Sequence, residues 1–407
     1  MFLSRIYNQK NKFKWSKKKM KIPDWPFYDN EEISAVKKIL AAGKVNYWTG
    51  DQSKKFEKEF ANWCGTKYAI ALSNGSVALT TAYLSIGIKK GDEVITTSRT
   101  FIATSSTLVL LGAVPIFADV ELDSGCISAK TIENLITNKT KAISVVHLGG
   151  WPIDMDSIME LARKHNLYVI EDCSQAHGAE INNRKVGSFG NVATWSFCQD
   201  KIISTGGEGG MITTNYKKIK DFVWSYKDHG KSYDLMKKNI NAIAYQKIYQ
   251  GFGTNLRITE MQSAIGRIQL RKLKNWTNIR KRNAEVIIKK LKNLKIARIE
   301  IPPKNFVHAW YKLYVYLDLK YIKDDWNRDK IIKEIVNDGF PAFSGSCSEL
   351  YMENCFIEAG LKPDNRLPNA KLLGLTSLMF LIHPTISKAI MYKYAEVIYQ
   401  VLKKASI

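Results

Sequence analysis

From Leu167 to Thr214 the chain reads L-Y-V-I-E-D-C-S-Q-A-H-G-A, then after a short polar turn V-G-S-F-G-N-V-A-T-W-S-F, then C-Q-D-K-I-I-S-T-G-G-E-G-G-M-I-T-T. One buried strand ends in two acids, Glu171 and Asp172. A second apolar strand ends at Ser196 and Phe197, and a lone Lys201 precedes a glycine cluster. Taken singly, each feature has a plain reading. An acid pair caps the next helix, a loop lysine is solvated, and Gly206 to Gly210 mark a turn. Taken together they describe a place to hold a charged cofactor.

Pyridoxal phosphate (PLP) chemistry requires these residue types. A lysine bonds the cofactor's aldehyde carbon, a carboxylate keeps the pyridine nitrogen protonated so that the ring draws in electrons, and hydroxyl and backbone N–H groups hold the phosphate. Lys201, Asp172 and Ser196 supply one of each.

The ordered motifs E-D-x-x-Q-A-H-G-A, V-G-S-x-G and S-F-x-x-x-K-x-x-x-x-G-x-E-G-G-M-I-T-T resemble the core of the DegT/DnrJ/EryC1/StrS aminotransferases, PLP enzymes that aminate nucleotide-linked keto-sugars. The likeness runs from about Trp48 to about Thr385. It implies an α/β chain of PLP-dependent transferase fold type I, with a large, mostly parallel sheet flanked by helices and a smaller C-terminal α+β domain. It also implies that Lys201 is the catalytic lysine, that Asp172 faces the ring nitrogen and that Gln175 bonds the ring's phenolic oxygen. By the same resemblance Ser196 joins the phosphate cradle, and His177 packs beneath the cofactor, with acid–base work as the alternative.

At 407 residues the chain exceeds a single hydrophobic core. The expected division is a basic N-terminal extension (1–24), a PLP-binding domain (25–282) and a small domain (283–407). Met1 to Lys21 carry eight basic and no acidic side chains, which reads as a lightly docked segment or an electrostatic tether to anionic lipid. No apolar run reaches the ~20 residues of a membrane span, and no signal-peptide pattern opens the chain, so a cytoplasmic protein is expected. Six cysteines without a C-x-x-C pair argue against a zinc site and a disulfide scaffold, and no metal is expected. The net charge of +23 raises a nucleic-acid reading, but no helix-turn-helix, RNA-recognition or zinc-finger pattern accompanies it. A polyanionic small molecule, an anionic membrane surface or a lysine-rich genome explains the same bias.

Along the chain, Ile33 to Leu40 is a helical pattern with Gly43 as its C-terminal cap. Y-A-I-A-L-S-N-G-S-V-A-L is a strand, a small-residue turn and a helix. The helix start is suited to phosphate, and the resemblance assigns Gly75 and Ser76 as contacts over an ordinary joint. Strand and helix then alternate, which builds a parallel sheet. Phe101 stands just past a strand end, where such sheets keep their ligands. The resemblance stacks it on the pyridine ring, against the alternative of a core phenylalanine. Asp154 caps a helix, and His147 and His165 read as structural. Lys227 to Tyr249 reads as irregular. In G-F-G-T-N-L-R-I-T-E the resemblance makes Asn255 a phosphate contact for a neighbouring subunit, hence a homodimer with shared active sites, and Thr259 with Gln262 fits a capping box. It also places Tyr47 or Trp48 at the nucleotide.

The implied reaction is a two-half transamination from an amino acid, usually L-glutamate in this family, to a nucleotide-linked keto-sugar, with Lys201 moving the proton. P-A-F-S-G-S-C-S-E-L-Y replaces the H-Y-x-P-L-H-like segment of many relatives beside the sugar, which leaves the sugar open. Two alternatives stand beside this reading: a PLP-dependent sugar dehydratase, whose known members carry histidine in place of the lysine, and a non-catalytic, regulatory PLP-binding relative.

Overall fold

The computed structural model describes residues 22–238 and 247–407. Most of the expected basic extension, residues 1–21, lies outside them.

Seven strands form the main sheet: β1 (Tyr68–Leu72), β2 (Glu93–Thr97), β3 (Val114–Ala118), β4 (Thr140–Val146), β5 (Tyr168–Asp172), β6 (Val192–Ser196) and β7 (Gly210–Thr214), in the spatial order β1-β7-β6-β5-β4-β2-β3. All neighbouring pairs are parallel except those of β7, which runs antiparallel to β1 and β6. Every residue of β6 and β7 is buried, as expected where helices cover both faces of a sheet.

The helices that frame the site and the second core include α1 (Asn30–Ala42), α2 (Gln52–Cys64), α3 (Gly75–Ser85), α4 (Ala103–Leu110), α5 (Met155–Lys164) and, beyond the sheet, α6 (Glu260–Leu291), α7 (Arg328–Asn337) and α8 (Lys388–Ala405). The expected caps are present. Gly43 ends α1 at φ 66°, the Asp154 side chain accepts from Ser157 N, and Thr259 forms a reciprocal capping box with Gln262. Helix α1 begins three residues ahead of its apolar pattern, because Asp29 and Glu32 make a capping box there. Tyr83 of α3 donates to Thr104 O or shares a hydrogen with Ser144 Oγ (3.0 and 2.8 Å), which locks α3 against α4 and β4.

A second, three-stranded antiparallel sheet contains β8 (Ala297–Arg298), β9 (Leu313–Leu317) and β10 (Ser377–Phe380), with β9 central. It shares a core with α7 and α8 built from Leu313, Val315, Ile331, Ile335, Tyr394 and Ile398. Helix α6 packs against α1, α2 and α8, and Ala284, Ile287 and Leu291 on its last turns enter the second core. Residues 282 and 283, where the sequence divides, therefore sit inside one continuous helix.

The stretch read as irregular holds a short helix, Tyr233–Lys238. Tyr233 sets its ring edge-on against Trp224 at 4.7 Å and lies under the Lys220 ammonium. Both partners lie on the preceding helix, Lys217–Tyr226.

Candidate active site

Open parallel sheets keep ligands beyond the carboxyl ends of their strands, and the predicted site residues gather there. Asp172 is the last residue of β5 and is 4% exposed. Its Oδ2 accepts from Thr104 Oγ1 at 2.9 Å and its Oδ1 from Ser174 N at 3.1 Å. Both bonds come from donors and fix the orientation of the carboxylate. Ser196 ends β6. Gly75 opens α3, and a Cβ there would lie 2.7 Å from Ser196 Cβ and 3.0 Å from its Oγ, so only glycine lets the helix start approach that hydroxyl. On the other side, a Cβ at Gly210 would collide with Asn74 O. Part of the glycine cluster is thus a packing requirement of the cradle, while Gly206 and Gly207 at φ 85° and 120° make the turn.

Gln175 accepts Gly149 N on Oε1 at 2.7 Å, which leaves its amide nitrogen as the donor to offer an oxygen. His177 is fully buried against Trp195 and Phe197, at 5.1 and 5.7 Å between ring centroids. Neither of its nitrogens has a hydrogen-bond partner among the described residues. Burial, reinforced by Lys201 and Arg280, pushes it down to about 3. It is a neutral packing ring at ordinary pH. Lys201 is carried on the loop after β6, with a side chain 15% exposed.

Three predicted residues are not enclosed by this chain. Ser76 and Asn255 are exposed, and Phe101 is 58% exposed. Asn255 forms an isolated antiparallel bridge with Asp228, and its Oδ1 accepts from Arg257 N at 3.3 Å. Tyr47 departs from expectation. It is buried, donates to Glu57 Oε2 at 3.2 Å and lies under the ammonium of Lys227, itself bonded to Glu57 Oε1 at 2.7 Å. That buried ion pair holds Tyr47 in the core. Trp48 stays part-exposed.

Sequence reasoning missed the division of labour in the acid pair. Glu171, next to Asp172, points to the opposite face of the strand. Its oxygens accept Gly187 N (2.7 Å), Phe189 N (2.8 Å), Gly190 N (2.7 Å) and the His147 ring nitrogen Nε2 (3.2 Å). Burial would raise its pKa, but these donors outweigh it and hold it below the usual range. Glu171 and the V-G-S-x-G motif are thus two halves of one clamp. His147, Glu171 and Cys173 bring metal-ligand atoms within 4.8 Å of one another. The clamp uses two of the three: Glu171 accepts from the loop and from His147 Nε2, and His147 Nδ1 accepts Ile153 N, so no lone pair of that imidazole is left for an ion.

A set around Lys201 was also missed. Asp200 Oδ1 lies 3.4 Å from Lys201 Nζ, and Asp200 Oδ2 accepts the Tyr311 phenol. Arg280 Nη1 donates to Tyr311 O at 3.1 Å. Asp200 had a signal in its adjacency to Lys201. Tyr311 had none, being 111 residues away.

The donor set fits PLP: one amine, a buried carboxylate held by donors, and a glycine-lined helix start against a serine hydroxyl. The family model for the DegT/DnrJ/EryC1/StrS aminotransferase family matches residues 26–393. The chain is 38% identical over 266 residues to GDP-perosamine synthase of Escherichia coli O157:H7, covering 65% of this chain and 70% of that one. It is 37% identical over 288 residues to dTDP-3-amino-3,6-dideoxy-alpha-D-galactopyranose transaminase of Aneurinibacillus thermoaerophilus, covering 71% and 75%. The solved aminotransferase from Psychrobacter cryohalolentis superposes with a TM-score of 0.92 at 48% identity, covering 95% of this chain and all of that one.

Proposed function

The chain belongs to the DegT/DnrJ/EryC1/StrS aminotransferase family and is PLP-dependent; from that premise we propose that it moves an amino group from an amino acid, L-glutamate in our reading, to a nucleotide-linked keto-sugar. The observation that carries the reading is the cradle at the sheet's carboxyl edge, where Gly75 meets Ser196 and the donor-held Asp172 carboxylate ends β5. The two relatives named above differ in both nucleotide and sugar, so their names support the substrate class and not one sugar.

When bound, PLP supplies an electron-withdrawing ring that carries the amino group between two half-reactions. Lys201 Nζ would hold it at rest and, once freed, would be the amine that moves the α-proton of the donor. In the second half the same amine works in reverse on the sugar carbon. Asp172 would face the ring nitrogen and keep it protonated. Gln175 would donate to the ring oxygen, Phe101 would cover the ring, and Gly75, Ser76 and Ser196 would hold the phosphate with Asn255 of a neighbouring subunit.

We read the working unit as a homodimer, supported by the exposure of Ser76, Phe101, Asn255 and Phe252 in the single chain. Residues 25–282 form the cofactor-binding part and 283–407 the smaller part in this reading. No helix among the described residues is long and apolar enough to cross a membrane. We place the reaction in the cytoplasm, in amino-sugar supply for lipopolysaccharide, capsule or another surface glycan.

The test is incubation of the purified protein with PLP, L-glutamate and a panel of nucleotide-linked 3-keto and 4-keto sugars, with mass detection. An amino-sugar nucleotide supports the reading. A deoxygenated keto-sugar instead would assign the dehydratase activity, and no product despite normal cofactor binding would assign a regulatory protein.

A further inference from the structure

The mechanism above leaves unused a cluster assembled around the Lys201 amine from both sheets. Asp200 precedes Lys201 in the chain and turns one carboxylate oxygen to within 3.4 Å of Nζ. Its other oxygen accepts the phenol of Tyr311, which enters from the small-sheet side just before β9. The Tyr311 ring lies under two ammonium groups, with Lys201 Nζ 5.4 Å and Lys312 Nζ 4.7 Å from its centroid. Arg280 fixes the Tyr311 backbone at 3.1 Å, and its Nε and Nη2 have no partner among the described residues.

We propose that Asp200, oriented by Tyr311, is a positioning residue for the Lys201 nitrogen, and that Lys312 opposes it as a like charge across the same tyrosine ring. This rests on the reading of Lys201 as the residue that bonds the cofactor. A carboxylate held on one side of the nitrogen favours its protonated form and fixes the direction of its N–H. Lys312, a second cation over the same tyrosine ring, opposes that preference, so that the freed amine is not trapped as an ammonium that removes no proton.

The titratable and charged groups facing this nitrogen are Asp200, Tyr311, Lys312, Arg280 and the buried His177. Their mutual influence agrees with the geometry. Loss of hydration raises Asp200, but Lys201, Lys312 and the Tyr311 phenol outweigh it and hold it below the usual carboxylate range. Its side chain is 55% exposed in the single chain, so that loss of hydration is partial. Burial lowers Lys312 to about 8, with Arg280 and Lys201 adding to the effect and Asp200 opposing it. Lys312 is thus a cation near neutrality that gives up its proton just above it.

The experiment is a pH titration of the visible absorption of the resting holoenzyme, which reports protonation of the cofactor-bonded Lys201 nitrogen without turnover. In a water-like dielectric, two unit charges about 3.4 Å apart change that midpoint by about one pH unit. Asp200→Asn is expected to lower the midpoint by about that amount, and Lys312→Met to raise it. Tyr311→Phe keeps the ring but frees the carboxylate to swing towards solvent, so it lowers the midpoint by less than Asp200→Asn. Opposite signs for the acid and the amine are a signature that a purely structural role does not produce. Unmoved midpoints, or shifts of one sign in the Asp200 and Lys312 variants, overturn the proposal. If Asp200→Asn fails to fold, an unmoved midpoint in Tyr311→Phe does so. A wild-type protein that binds no cofactor would instead sink the reading of Lys201 itself, so the two failures are distinguishable.

Discussion

Replacing Glu171 by glutamine separates the two acids that end β5. The carboxylate accepts three backbone N–H groups and one imidazole nitrogen with no exposed surface. An amide keeps one acceptor oxygen and turns the other position into a donor. If the retained oxygen faces Phe189 N and Gly190 N, the new NH2 confronts Gly187 N–H and the His147 Nε2 hydrogen. A buried donor left without an acceptor costs about 1–3 kcal/mol, and the two surviving bonds lose their charge assistance. The expected destabilisation is about 4 kcal/mol, a large share of a typical folding free energy of about 5–15 kcal/mol. Urea unfolding followed by tryptophan fluorescence measures it as a fall in midpoint at unchanged slope. Asp172→Asn, one residue on, is expected to leave that midpoint within about 1 kcal/mol and to lower kcat by about 10²–10³, because it removes a charge aimed at the reaction. A Glu171→Gln protein of wild-type stability would refute the clamp. An Asp172→Asn protein of wild-type turnover would refute the assignment of the second acid.

His177 is held near 3 against an ordinary 6.5. The unfolded chain therefore binds the extra proton first, and stability falls as pH drops from about 6.5 towards 3, by about 2 kcal/mol at pH 5. His177→Phe should flatten the pH 7 to 5 slope of thermal stability by that amount, and an unchanged slope would count against a neutral buried ring. Gly75→Ala forces Ser196 away from the helix start, and overpacking of about 1–3 kcal/mol should weaken PLP binding about tenfold or more in a spectroscopic titration; wild-type affinity would remove Gly75 from the cradle. If Asn255 serves a neighbouring subunit, mixing inactive Lys201→Ala and Asn255→Ala chains should restore activity to about a quarter of wild type, since half of randomly paired dimers carry one intact site. No recovery after exchange of subunits would argue for sites confined to one chain.

The parallel sheet and the placement of Asp172, Ser196 and Gly75 at its edge were legible because they are local. Strand ends, helix caps and a glycine turn are set by residues a few positions apart. The burial of Tyr47 was not legible because its partners, Glu57 and Lys227, come from two other elements. Glu171 and Asp172 look alike in sequence, and only the alternation of side chains across β5, with the loop at 187–190 folded back on one face, gives them different tasks. Asp200 and Tyr311 meet only because the second sheet docks beside the loop carrying Lys201.

Borohydride reduction of the yellow holoenzyme, followed by proteolysis and mass spectrometry, bears most directly on the whole reading. The cofactor is expected on the peptide containing Lys201, with no label in a Lys201→Ala protein. Label on another lysine, or a wild-type protein that stays colourless with excess PLP, would contradict it.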